Sequence, residues 1–375
     1  MRRPRLALLD LSDRPAPEPA ALTDAPSGRV MRQVIALLLL ACGSSLIGEA
    51  LTCGSLYGLP WTWSVQAGYR LFWVRFGVAA VVFFWLAGLV IARTPLSRVT
   101  PRQRLLQRGA AVLSASVAMF GTAPFVSALA QLVGQSVGAC VLAWLALEVC
   151  RAHRVPVRIA FPRTAPERLR DWDIAFLVLI ACVAGGATSF LLAQLIRYSG
   201  LDVPLMKGGQ MSTLGIGNLG TFSIGVVATV AVEDVVLVAV TTALLTATRR
   251  PAWQIYTLIC VPEVLLHAYL GLPAIGMLLF AAGRVWLYRQ YGRPLPFMAA
   301  HFVYDLVTGG LMLAQGLSFL YRPVVGLLFA TAVFWIDHRL TEAAHRAGPE
   351  PQSQPAALGS DPPQPADRPE RVSTR

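Results

Sequence analysis

The chain has 375 residues, 55% of them hydrophobic and 14% charged, with a formal net charge of +12 at neutral pH. A soluble globular protein carries about 25% charged residues, and several windows of 18 or more residues here hold almost no charge, so the chain reads as a polytopic α-helical membrane protein. Its apolar runs are continuous rather than alternating, which argues against a β-barrel. Its cations, nearly all arginines in short loops, follow the positive-inside rule rather than forming a nucleic-acid surface.

Residues 1–30 are rich in Pro and Arg and read as a disordered cytoplasmic tail with no cleavable signal peptide. Spans are predicted at about 33–53, 71–92, 109–130, 132–150 and 174–196. The loops at 93–108 and 151–172 are strongly basic, which places them and the N-terminus inside. Residues 210–247 are too long for one helix and short for two. One possibility is a re-entrant or interfacial piece followed by a span starting near Glu233; two tight spans is the other. Further spans are predicted at about 253–271, 273–289, 295–316 and 322–337, for a total near ten. Arg284, Arg289 and Arg293 mark an inner end, with Arg284 snorkelling to the inner surface. Residues 338–375 read as a second disordered tail. Of the six cysteines, most lie in apolar runs and read as buried, inert thiols; Cys42 and Cys53 would bridge only if both faced outside, and Cys42 lies within a span.

Three polar stations interrupt this apolar sequence: Glu233-Asp234, His267, and His301 with Asp305. Glu233 to His267 and His267 to His301 are both 34 residues, the spacing of groups on successive spans. Ionisable groups at membrane depth are costly and face a cavity or one another, so these are candidate functional residues. Consecutive helical side chains diverge by about 100°, so one acid of the pair can face a pocket while the other bonds a neighbouring helix. Alternatively, the pair sits at a helix N-terminus. Glu263 lies four residues before His267 and on its face, either as its partner or solvated near an interface. His301 and Asp305 are likewise stacked, an arrangement in which the acid can fix the imidazole tautomer. Glu49 and Glu148 read as interfacial.

In this order, "EDVVLV", "EVLLH" and "HFVYD" resemble the motifs EExxxR, FxxxH and HxxxN or HxxxD of the CPBP family, the CAAX-protease and bacteriocin-processing (Abi) intramembrane endopeptidases. The resemblance spans about 225–315 and marks 210–337 as a CPBP-like catalytic core preceded by N-terminal transmembrane helices at 31–209. It implies that Glu233 activates water together with His267, and that His301 and Asp305 bind the oxyanion. Asp234 stands for the second glutamate, Val238 for the motif arginine and Glu263 for the motif phenylalanine. Two histidines and one or two carboxylates are also a zinc ligand set, here His267, His301 and Glu233. The expected partners are the lipid bilayer and a membrane-associated or lipidated polypeptide substrate, with no nucleic acid. The expected location is the cell membrane, multi-pass, with both termini cytoplasmic. A catalytically impaired scaffold or immunity protein and a proton-coupled transporter are the competing readings.

Overall fold

The computed structural model describes residues 27–56, 61–92, 101–121, 127–157, 159, 161–201, 203, 205 and 217–313, with isolated positions 331 and 335. The described residues between 27 and 313 fall within one compact unit. It is all-α. The helices are α1 (Ser27–Leu56), α2 (Trp61–Ala92), α3 (Pro101–Gly121), α4 (Ala128–Ala152), α5 (Ala165–Ser199), α6 (Leu219–Ala247), α7 (Ala252–Leu266), α8 (Met277–Tyr291) and α9 (Pro294–Leu313). Two short 3-10 turns, Ala268–Leu270 and Leu272–Gly276, join α7 to α8. Among the described residues the one β feature is an isolated bridge between Leu205 and Gly271.

Among the described residues, six helices are long and apolar enough to cross a membrane: those containing Gly28–Leu51, Arg70–Leu89, Leu129–Ala152, Ala165–Ser199, Leu219–Ala247 and Pro294–Leu313. These residues do not confirm the expected total of about ten. Helix α3 carries Arg102, Arg104 and Arg108 in its first two turns. Helices α7 and α8 have 15 residues each, roughly 22 Å of helix, against a hydrocarbon core of about 30 Å. They form a short hairpin where two full spans were predicted. The span predicted at 322–337 and the 338–375 tail lie outside the described residues. Helix α1 begins at Ser27, inside the predicted N-terminal tail, whose other residues are also outside them.

Local chemistry sets several ends. A capping box opens α5: the Glu167 backbone N–H reaches the Thr164 hydroxyl, and the Glu167 carboxylate accepts from the Thr164 backbone N–H. Asn218 caps α6 by accepting from the Thr221 backbone N–H. Gly292, at φ 62°, ends α8 in the left-handed conformation that glycine adopts without Cβ strain.

The described part of the stretch 210–247, residues 217–247, forms a single helix rather than a span starting near Glu233 or two tight spans. Helix α6 runs unbroken from Leu219 to Ala247, with its middle, Ala231–Val240, in π-helical register. The acid pair is thus mid-helix, which removes the N-terminal explanation for it. Nine of the ten π-helical residues are buried; Val232 is the exception. Helix α6 packs through Phe222, Val226 and Val230, one stripe at helical spacing, against Met298, Phe302 and Leu306 of α9. Helix α8 lies antiparallel along α5. A Cβ on Gly185 would sit 2.5 Å from Phe280 Cβ, one on Gly276 2.5 Å from Ser189 N, and one on Gly283 2.8 Å from Ala181 Cβ. At the far end of the pair, Arg293 bonds Asp171 at 2.9 Å. Small residues therefore bring the backbones together along the first half of α8.

Candidate active site

A cavity of about 1120 Å³ lies among α1, α2, α4, α5, α6, α9 and the α7–α8 turn. Glu233, His267, His301 and Asp305 all line it. All five sequence-selected residues meet around this cavity, with Asp234 behind the wall.

The centre of the cluster is a residue that the sequence placed elsewhere. Arg284 does not snorkel to a surface: it is fully buried and faces three carboxylates. Its Nη1 donates to Asp234 Oδ1 at 2.6 Å, its Nη2 donates to Glu233 Oε2 at 3.4 Å, and Nη2 lies 2.8 Å from Glu263 Oε1. Its guanidinium sits 3.7 Å over the ring of Phe280, one turn earlier on α8. Helix α6 offers the acids no cation of its own, with Val238 one turn beyond them; here α8 supplies one. Glu263 is likewise buried rather than solvated. The signal for Arg284 was present in "MLLFAAGRVWL", an ionisable residue inside an apolar run.

The π-helical turn explains how two consecutive acids share one guanidinium. In an α-helix their side chains would splay by about 100°. The wider register reduces that splay, and π segments recur at functional sites for such reasons. The Thr241 hydroxyl donates to Val236 O at 2.9 Å, five residues back, and so holds the wide register at its end. Glu233 faces the cavity while Asp234 turns to α8 and α9, the division of labour expected from the sequence.

His267 stands at the end of α7. Its Nδ1 bonds Glu263 O at 2.8 Å, one of the last carbonyls that the helix leaves without an internal partner. Nδ1 therefore carries the proton, and Nε2 keeps a lone pair. His301 is bracketed by acids: Nδ1 lies 3.1 Å from Asp234 Oδ2, and Nε2 lies 3.4 Å from Asp305 Oδ2 and 3.9 Å from Glu233 Oε2. Both nitrogens can hold protons and donate. The Phe280 ring stands edge-on to both histidines, with centroids 5.1 Å from His301 and 6.4 Å from His267.

The zinc set suggested by sequence changes by one member. Glu233, Glu263 and His267 each bring a ligand atom within 4.8 Å of the others, whereas the nitrogens of His301 are turned to Asp234 and Asp305. Neither Glu263 oxygen has a hydrogen-bond partner, although Oε1 is ion-paired to Arg284. The cluster holds four carboxylates, three of them on Arg284 and Asp305 on His301, against one guanidinium. Buried acceptors with unfilled lone pairs, a surplus of negative charge and an available Nε2 fit a divalent cation with an open position.

Outside the cluster, Glu49 lines the same cavity and accepts from the Tyr269 backbone N–H. Glu148 is buried and bonds Arg151 and Trp144 on its own helix. Cys42 and Cys182 are free buried thiols, and Cys182 lines the cavity.

No family model, no curated protein and no solved structure matches the chain. The chemistry of the site is therefore argued from its own geometry.

Proposed function

We propose that the protein is an intramembrane endopeptidase of CPBP type that hydrolyses a peptide bond in a membrane-associated or lipidated polypeptide. The observation that carries this reading is the convergence of Glu233 and the unprotonated Nε2 of His267 on one cavity wall, with His301 and Asp305 on the same cavity. A water between Glu233 and His267 Nε2 gives a proton to the Glu233 carboxylate as its oxygen attacks the scissile carbonyl carbon. The carbonyl oxygen becomes an oxyanion that accepts from His301 Nε2–H, with Asp305 donating when protonated. The C–N bond then breaks, and the proton held by Glu233 passes to the leaving amine. Asp234 and Arg284 do not touch the substrate; they fix His301 and Glu233.

Glu233, Glu263 and His267 would hold a zinc ion, which when bound supplies a water of lowered pKa. The topology that accompanies this reading puts both termini inside. With α3 crossing in addition to the six long apolar helices, the basic connections at 93–108, 151–172, 248–250 and 289–293 share the cytoplasmic side, and the span predicted from sequence at 322–337 would return the chain there. The Arg293–Asp171 pair, which ties two of these connections together, supports it.

The test is cleavage of model lipidated and transmembrane peptides by the purified protein and by Glu233→Gln, with and without chelator. Cleavage by the wild type alone is expected, and its loss with chelator would assign the metal. Equal cleavage by Glu233→Gln would overturn the reading.

A further inference from the structure

Among the ionisable groups of the cavity that the catalytic reading leaves without a task are two arginines, the exposed Arg197 of α5 and the more enclosed Arg75 of α2. Arg75 lines the cavity, half-buried, and has no ion-pair or hydrogen-bond partner among the described residues. Helix α2 offers it no acid, since Trp61–Ala92 contains none. A cation at membrane depth is retained where a counter-charge or a wet cavity compensates it.

Its depth follows from helix packing. Gly48 of α1 meets Leu71 of α2, with an ideal Cβ 3.7 Å from Leu71 Cδ2. The two helices are antiparallel neighbours, so four residues back along α1 and four forward along α2 bring Arg75 level with Ser44. Ser44 lines the cavity too. Cys42, two residues or about 3 Å of rise from Ser44, lies within electrostatic reach of Glu263 and Glu233. Arg75 therefore lines the cavity at about the level of Ser44, at a different wall from the acid cluster. The nearest acid on α1, Glu49, is about one turn further along and is held by the Tyr269 backbone N–H. The cavity is thus polarised: Glu233 and Asp305 line it from α6 and α9, and the Arg75 guanidinium lines it from α2 with no acid of its own helix beside it.

We propose that Arg75 anchors a carboxylate of the bound polypeptide, either its C-terminus or an acidic side chain close to the scissile bond. That the occupant is a polypeptide rests on the endopeptidase reading. A guanidinium presents paired donors that match a carboxylate, and the charge-assisted pair is strong where water is scarce. The pairing fixes the register of the chain against Glu233, and it discriminates against peptides that leave Arg75 unpaired.

The experiment uses the full chain in nanodiscs of neutral lipid, with fluorescent apolar peptides made in two matched pairs. One pair ends in a free carboxylate or a carboxamide; the other carries an internal Glu or Gln with an amidated end. Binding is measured on Glu233→Gln to avoid turnover, and cleavage is measured separately with Glu233 present. The expected result is that a carboxylate tightens binding by roughly tenfold or more. Arg75→Gln abolishes that gap and Arg75→Lys keeps part of it, and whichever pair shows the gap identifies the carboxylate. Equal binding of acid and amide by the unsubstituted Arg75 protein would overturn the proposal without recourse to any variant. So would an Arg75→Gln loss that falls equally on acid and amide, or a loss confined to phosphatidylglycerol binding, which would make Arg75 a lipid contact. If the gap appears but nothing is cleaved, the endopeptidase reading fails and the carboxylate site stands; cleavage indifferent to the carboxylate has the opposite meaning.

Discussion

Replacing Arg284 with Met removes the one guanidinium that faces Glu233, Asp234 and Glu263, while keeping an unbranched apolar side chain over Phe280. Breaking a buried ion pair by deleting one partner costs about 3–5 kcal/mol, because the other charge stays buried. Here three carboxylates lose their cation, with contacts of 2.6, 2.8 and 3.4 Å, so the upper end of that range applies. At about 1–2 °C per kcal/mol for a chain of this length, the midpoint of thermal unfolding in detergent falls by roughly 5–10 °C. The control is Arg293→Met, which breaks a partly exposed pair with Asp171 and costs about 0–1 kcal/mol. Adding Glu263→Gln to Arg284→Met removes one orphaned charge and recovers part of the loss. If Arg284→Met shifted the midpoint no more than Arg293→Met, Arg284 would not be the counter-ion of the cluster, and its part in the proposed mechanism would fall with it.

Gly185→Ala, which sets a Cβ against the Phe280 backbone, should destabilise by about 1–3 kcal/mol and lower activity, since Phe280 supports Arg284. Gly77→Ala, with nothing within 4 Å, should not lower the midpoint; equal midpoints for the two variants would contradict the α5–α8 packing. Thr241→Val deletes the hydroxyl that bonds Val236 O and should reduce catalytic rate more than its cost of about 1 kcal/mol in stability; an unchanged rate would deny the π register a role. His153, just beyond the end of α4, has its pKa lowered first by burial and then by Arg29. A base whose folded pKa lies below its unfolded value binds more protons unfolded, so its contribution favours folding at neutral pH and is lost as pH falls below about 6.5. In His153→Gln that part of the acid-side decline in midpoint should vanish, and an identical pH profile would refute the assignment.

How much of the site could be read in advance depended on where its partners lay. His301 with Asp305 and Glu263 with His267 are four residues apart, so helical periodicity alone put each pair on one face. The split between Glu233 and Asp234 followed from helical geometry as well. Arg284 was misplaced because its partners are 50 and 51 residues away in sequence at Asp234 and Glu233. A positive charge near other arginines at a span end is indistinguishable locally from an interfacial one. Glu263 was half-legible: its alignment with His267 was visible, but its burial depended on α8.

The sequence by itself determined an all-α membrane protein, the positions of the main apolar helices and the three polar stations. Those are properties of composition and of periodicity within one helix, set by the cost of exposing polar groups to hydrocarbon. The tertiary structure decided the rest. It paired α7 and α8 as a short hairpin and laid α8 close along α5, where glycines leave room for the approach. It made α6 one helix with a π-helical centre, because both acids reach one guanidinium from another helix. It also enclosed the cavity between α1, α2, α4, α5, α6, α9 and the α7–α8 hairpin, an arrangement that arises only when separate helices pack.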